Sequence, residues 1–320
     1  MEDLNRRVSV IIPAYKSGEY LWRAIQSVLA QSYRNIELII CDDGTQGFDK
    51  DKLEKQLAEV GTTFPYRIIH QADNLGTVKN LNIGLQYATG KWVLFLSADD
   101  VLSGPDVIAR LVEQIQESNA EWIVPKSNLC DSKMERIIGN SPNQAVRKAI
   151  ESRDWDALYY SLCLDCCIPA SGALYYCNLL TSMGGFDEKY RLVEDWPIFL
   201  RLVRARKMPI LSFVTVSNHR SGGVSSHLAS KNLTYQKDLI QVMETEILPN
   251  LSDFEKAKRI PIIQKIEDKS SIFEFRFQTR NIGSKLWWLV RHWAVVLRRL
   301  KALVLNESHT TDDTKRKKYE

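Results

Sequence analysis

Two pairs of neighbouring acids, Asp42-Asp43 and Asp99-Asp100, are the residues of this chain whose types and spacing best suit chemistry. Each closes an apolar run of strand length, Ile36-Glu37-Leu38-Ile39-Ile40-Cys41 before the first and Trp92-Val93-Leu94-Phe95-Leu96-Ser97-Ala98 before the second. A buried strand ending in two carboxylates concentrates negative charge at the carboxyl edge of its sheet, where open α/β sheets bind ligands. That charge is costly unless a positive group neutralises it. A divalent cation carrying a phosphate-rich ligand suits, because such ions bind through one or two carboxylates plus phosphate oxygens. The plain alternative is a solvated Asp-Asp turn. One pair alone favours the turn; two pairs on one sheet edge favour the cation.

The elements that must position these acids follow from periodicity. Strands are expected at Val8–Pro13, at Ile36–Cys41, at Tyr66–His70, over the run that leads to Asp99, and at Glu121–Val124. Between them lie helical patterns: Tyr20, Leu21, Ala24, Ile25, Val28 and Leu29, then about 49–59, Thr77–Tyr87, and from Pro105 to about Glu117. Strands alternating with helices of this length imply βαβ units and a mainly parallel, doubly wound sheet. A dinucleotide-dependent oxidoreductase would need G-x-G-x-x-G after the first strand, but Pro13-Ala14-Tyr15-Lys16-Ser17-Gly18 carries one glycine. A phosphate loop of the G-x-x-x-x-G-K-[ST] type is absent as well.

Composition adds exclusions. With 43 Lys and Arg against 39 Asp and Glu the net charge is only +4. The acid-free stretch 283–306 holds five of the basic residues, so the body is near neutral and no nucleic-acid-binding face is expected. The start of the chain leads straight into a strand, so no secretory signal is expected, and no apolar run is long enough to cross a membrane. The six cysteines lack paired spacings and are expected to be reduced thiols; Cys163, Cys166 and Cys167 have no second pair to complete a zinc site.

Four segments resemble, in order and spacing, the family 2 glycosyltransferases of the GT-A fold, which invert the anomeric centre of nucleotide-diphosphate sugars. They are VSVIIPAYKSGEYLWRAIQSVLAQSYRNIELIICDDGT, NLGTVKNLNIGLQYATGKWVLFLSADD, GGFDEKYRLVEDWPIFLRL and RSGGVSS, spanning roughly 8–226. The resemblance implies a GT-A, Rossmann-like α/β domain over 1–226 and an α-helical C-terminal extension over 227–320. It implies that Pro13 and Asp43 contact the nucleotide base, with Ala14, Tyr15 and Asp42 beside them and Lys79 against base or phosphates. Ser97-Ala98-Asp99 stands where the family has D-x-D, so Asp99, supported by Asp100, is expected to meet Mn²⁺ or Mg²⁺. Ser97 in place of the first acid is a departure. Asp195, next to Glu194, falls where the family places its general base. The alternative for that pair is to cap the helix that follows, with Pro197 in its first turn. Gly184-Gly185-Phe186-Asp187-Glu188 is expected to be a tight turn shaping the acceptor loop. His219 as a metal ligand and Arg220 as a phosphate clamp complete the implied site, and acceptor contacts are expected within 126–170.

Beyond about 228 the pattern is helical. Leu286, Leu289, Val290, Trp293, Val296, Leu297, Leu300 and Val304 recur at helical spacing, with Lys285, Arg291, Arg298 and Lys301 opposite. A basic amphipathic helix over about 284–304 suits an anionic membrane surface; the alternative is a helix packed on the domain. The expected partners are therefore a nucleotide-sugar donor, a UDP-sugar first, and a lipid-linked saccharide acceptor of a surface-polysaccharide pathway, with no nucleic acid and with self-association left open. The expected location is the cytoplasmic face of the cell membrane. Two competing readings are an inactive GT-A scaffold, for which Ser97 speaks, and a sugar nucleotidyltransferase, whose glycine-rich basic segment after the first strand is missing.

Overall fold

Alternation along the strands sends successive side chains to two separate cores. In β1 (Val8–Ala14) Ile11 enters one core, while Val8, Val10 and Ile12 enter the other. β2 (Ile36–Asp42) and β4 (Trp92–Phe95) divide their apolar residues in the same way. A sheet apolar on both faces must be covered on both, which is why its central strands read as unbroken hydrophobic runs. On one face lie α1 (Glu19–Leu29), α2 (Lys50–Glu59) and α4 (Val107–Glu117); on the other lie α3 (Thr77–Gln86), α5 (Gln144–Glu151), α6 (Trp155–Leu164), α7 (Cys177–Ser182), α8 (Asp195–Arg204) and α9 (Leu233–Val242). α1 buries Leu21, Ala24, Ile25 and Val28, the i, i+3, i+4, i+7 stripe visible in its sequence. The computed structural model describes residues 4–131, 134–219 and 232–252.

The remaining strands are β3 (Tyr66–His70), β5 (Val101–Leu102), β6 (Trp122–Cys130), β7 (Ile137–Ser141), β8 (Leu174–Tyr176) and β9 (Ile210–His219). The sheet order is β3-β2-β1-β4-β8-β6-β9-β5, with β7 hairpinned onto β6. The α/β architecture is the expected one, and the long ladders are parallel: β1 with β2 and β4, β2 with β3, and β6 with β9. The short strands β5, β7 and β8 pair antiparallel, a mixture that periodicity does not reveal. β5 is only two residues long, and a strand that short has no period to mark it in the sequence.

The helical signal after 228 continues at once in α9, a π turn (Met243–Ile247) and a final turn (Leu248–Asn250). Val242, Met243 and Ile247 are buried in the core on the α8 face. Glu246 joins them at 4% exposure, meeting Arg201 and Arg204 of α8 and Lys189. Burial opposes its charge, but hydrogen bonds from Arg201 and then Arg204 outweigh that and hold its carboxyl down to about 2. The basic amphipathic helix expected over about 284–304 lies outside the described residues.

Candidate active site

The chain runs outward through β1, β2 and β3, then returns past β1 to lay down β4 on the other side. Strand order therefore reverses between β1 and β4, and an open sheet leaves its crevice outside such a reversal. Pro13, Ala14 and Tyr15 leave one side of it and Ser97 to Asp100 leave the other. Ala14 is buried, Pro13 half-buried, and Tyr15 is 44% exposed with Lys16 Nζ 4.9 Å from its ring centroid.

The connection that carries the second acid pair is held at both ends. Leu96 N donates to Ile11 O at 3.0 Å, and Ser97 N donates to Ser171 Oγ at 3.1 Å. Beyond the pair, β5 joins β9. Ala98 is buried, Asp99 half-buried and Asp100 buried at 5% exposure. Ser97, which replaces the usual first acid, contributes its backbone: its carbonyl accepts from Asp100 N at 3.0 Å.

Where the resemblance turns Asp42 and Asp43 to a nucleotide base, both carboxylates are engaged inside the protein, at 1% and 3% exposure. Asp42 Oδ2 accepts from Thr45 N at 2.8 Å and lies 2.8 Å from His70 Nδ1, whose ring stacks on Phe48. Asp43 Oδ1 accepts from Leu75 N at 2.7 Å, and its Oδ2 accepts from Gly76 N and Asn74 Nδ2, both at 2.9 Å. The glycine after the pair follows from the same packing. At φ +72°, a Cβ on Gly44 would sit 2.5 Å from the carbonyl carbon of Asp73. The loop that Asp43 holds leads into α3, where Lys79 is exposed in the first turn.

Glu194 and Asp195 stand at the N-terminus of α8. Glu194 occupies the cap position without a side-chain capping bond. Asp195 Oδ1 accepts from the adjacent Trp196 N at 2.7 Å, and its Oδ2 accepts from the Cys166 thiol at 3.3 Å. Both acids are half-buried. Burial pushes the Asp195 carboxyl above its ordinary range, against the pull of the Cys166 and Trp196 hydrogen bonds. Burial, then the Asp195 charge, pushes Glu194 up to about 8. Tyr175 and Tyr235 border the pair: each phenol is raised first by burial and next by the charge of Asp195. A carboxylate whose proton affinity is raised by a confined setting is a stronger base, which suits it to taking a proton from a hydroxyl.

These raised values have a stability consequence of definite sign. An unfolded Glu194 would titrate near 4.5, so the protein is favoured below that pH and loses stability as pH rises through about 8. Glu194→Gln never carries the charge. It should melt close to wild type at about pH 5 and higher at about pH 9, by ~2–4 °C per kcal/mol relieved. Thermal melts at both pH values test this, and a variant that melts lower at high pH would contradict it.

The sites are linked through shared segments. Ser171, which anchors Ser97, lies five residues beyond Cys166, which meets Asp195. Arg191 Nη2 donates to Asn74 O at 2.6 Å and to its Oδ1 at 2.9 Å, which joins the loop around Asp43 to the strand of chain before Glu194. Asn82 of α3 meets both the N–H and the C=O of Phe186, fixing the Gly184-Gly185 turn, as expected of that motif. An aromatic stack of Tyr175, Trp122 and Phe199 supports α8 from below.

Among the described residues no cluster of three His, Cys, Asp or Glu side chains could enclose a metal ion. Asp99 and Asp100 fit a hard cation that draws its other ligands from phosphate and water. His219 is described only as the last residue of β9, paired with Cys130, and Arg220 lies outside the described residues. A groove of about 840 Å³ is lined by Arg34, Asn35, Thr62 and Phe64 before β2 and β3, at the sheet edge opposite the acids. It has no carboxylate, thiol or imidazole, so the acids and not the volume mark the site. Sequence reasoning passed over His70, the Cys166 thiol as a partner of Asp195, and Asp238 of α9, whose carboxylate accepts from the N–H groups of Arg191, Leu192 and Val193. No local pattern marks any of them.

Comparison with known proteins bears on the whole arrangement. The family model for glycosyl transferase family 2 matches residues 9–167. An uncharacterized glycosyltransferase of Nostoc sp. is 30% identical over 236 residues, covering 72% of this chain and 70% of that protein. The glycosyltransferase GlyG of Streptococcus pneumoniae is 27% identical over 121 residues, 38% of this chain and 39% of its own length. Among solved structures, S. aureus TarS 1-349 in complex with UDP-GlcNAc superposes with a TM-score of 0.54 at 17% identity, over 93% of this chain and 83% of that one. The mannosyltransferase PcManGT of Pyrobaculum calidifontis, in complex with GDP-Man and Mn²⁺, gives 0.55 at 16% identity, over 98% and 85%. At such identities the structural likeness establishes the fold.

Proposed function

The chain belongs to the family 2 glycosyltransferases, and from that premise we propose that it moves a sugar from a nucleotide diphosphate to an acceptor hydroxyl, with inversion. The observation that carries this reading is Asp195: a carboxylate of raised pKa, linked through Cys166 and Ser171 to the acid-bearing end of β4. The acceptor oxygen attacks the anomeric carbon opposite the leaving diphosphate; the new C–O bond forms as the old one breaks. The hydroxyl proton passes to Asp195, and the nucleoside diphosphate departs with the bonding pair.

Pro13, Ala14, Tyr15 and Lys79 are assigned to the nucleotide, with Asp42 and Asp43 acting through the loop they order. Asp99, with Asp100 behind it, is assigned to the cation, Mn²⁺ or Mg²⁺, and Ser97 and Ala98 to the donor side of the same connection. When bound, that cation supplies positive charge to the diphosphate as the bond breaks. His219 and Arg220 are assigned to the diphosphate side on the resemblance alone. The complexes of TarS with UDP-GlcNAc and of PcManGT with GDP-Man and Mn²⁺ support a donor and cation of these classes. UDP-sugars are the first to try.

The acceptor is assigned to a lipid-linked saccharide in surface-polysaccharide assembly, with the chain lying at the cytoplasmic face of the membrane. The acid-free basic stretch 283–306 supports this. No described helix is long and apolar enough to cross a membrane.

Calorimetric titration of the full chain with a panel of nucleotide sugars, with and without Mn²⁺, tests the donor. One nucleotide sugar should bind more tightly with Mn²⁺, and Asp99→Ala should weaken that binding by about tenfold or more, the order of one lost charge-assisted contact. If no nucleotide sugar binds, or if Asp99→Ala leaves binding and transfer unchanged, the reading fails.

A further inference from the structure

Asp238 lies on α9, 45 to 47 residues beyond the three amides it meets. One oxygen, Oδ2, accepts from Arg191 N at 2.9 Å, Leu192 N at 2.6 Å and Val193 N at 3.2 Å, and the side chain is 5% exposed. Consecutive amides converging on one point form a concavity suited to an anion. Here the protein fills it with its own carboxylate, carried on a helix from another part of the chain. The next two residues are Glu194 and Asp195.

The clasp reaches further on either side. Upstream, the Arg191 carbonyl accepts from Val78 N at 3.2 Å, and its guanidinium holds Asn74, a partner of Asp43. Gly76 permits this approach, since a Cβ there would sit 2.5 Å from Arg191 Cγ. Downstream, Glu246 grips Arg201 and Arg204 of α8. The segment 232–252 thus holds the N-terminal approach to α8 with one acid and its later turns with another.

We propose that Asp238 is a positioning residue of the active site: by gathering the backbone of 191–193 it sets where Asp195 stands and ties that placement to the nucleotide-side loop. The catalytic unit then extends past residue 226 to include α9. This rests on the reading of Asp195 as the proton acceptor.

The test uses the full chain as wild type, Asp238→Ala and Asp238→Asn. UDP binding is measured with Mn²⁺, and kcat is measured across pH for hydrolysis of whichever nucleotide sugar binds best. Amide hydrogen exchange is followed at 191–195. Asp238→Ala should lose protection at 191–195 and lower kcat by about 100-fold, the effect of a displacement of about 1 Å at the reacting group, with UDP affinity changed less than about threefold. Asp238→Asn keeps an acceptor oxygen and should recover most of kcat. It also removes a negative charge from the surroundings of Glu194 and Asp195, which otherwise comprise Asp165, Cys166 and Cys167, Tyr175 of β8, and Tyr235 of α9. Its acidic limb should therefore move to lower pH. A wild type that neither binds UDP nor cleaves any nucleotide sugar overturns the donor reading instead, and leaves the exchange result to judge the clasp. Unchanged kcat in Asp238→Ala, unchanged protection, or equal collapse of both variants without rescue or pH shift overturns the proposal.

Discussion

Asp195→Asn should lower the rate of sugar transfer by about 10²–10⁴-fold while the protein stays folded and binds its nucleotide. The amide has the shape of the carboxylate, and its oxygen still accepts from Trp196 N or from the Cys166 thiol. What it lacks is basicity. The acceptor hydroxyl then has to give up its proton unaided as it attacks, so the whole loss falls on kcat. The substitution also removes a charge that burial disfavours, so the variant should melt no lower than wild type above neutral pH. Release of nucleoside diphosphate under saturating donor, alongside a binding isotherm and a thermal melt, separates these effects. Retained turnover would remove Asp195 from the mechanism; lost nucleotide binding would make it a donor residue.

The second large effect belongs to Asp43. Asp43→Ala should cost about 3–5 kcal/mol of stability, because three buried or half-buried donors lose their acceptor together and unsatisfied donors cost ~1–3 kcal/mol each. The loop from Asn74 to Gly76 would be released, and with it the start of α3, where Lys79 sits. Nucleotide binding should therefore fall as well, although the carboxylate itself is only 3% exposed. Asp43→Asn retains one acceptor oxygen and should fall between the two. Urea unfolding at neutral pH with a UDP titration checks this. A folded Asp43→Ala protein of near wild-type stability would show that the loop holds itself. Loss of binding with no loss of stability would instead make Asp43 a direct contact.

Much of this molecule is legible in one dimension. The first three strands and the helices between them end within a residue or two of where periodicity places them, while β4 stops at Phe95, three residues before the end of the apolar run that leads to Asp99. Their apolar positions repeat at the spacing of the element, and both faces of the sheet are buried. The acid pairs can be located for the same reason: a charge directly after an apolar strand must lie at a sheet edge. Resemblance along the chain added Asp195, which no periodicity singles out.

Which way those acids face was decided only by the tertiary structure. Asp42 and Asp43 are adjacent to a predicted ligand edge, yet each carboxylate turns into the protein, because His70 and the amides of Leu75 and Gly76 arrive there from later segments. The raised pKa of Asp195 depends on burial by elements far away in sequence, which outweighs the opposing pull of the Cys166 thiol. Asp238 gives no sign in the sequence beyond an acid in a helix; its role exists only because α9 folds back over residues 191–193. Local pattern records where a backbone becomes a strand or a helix, since that is settled by neighbours a few residues away. Hydrogen-bond partners and electrostatic surroundings are settled by chain closure over tens of residues, and these turned a row of acids into a site.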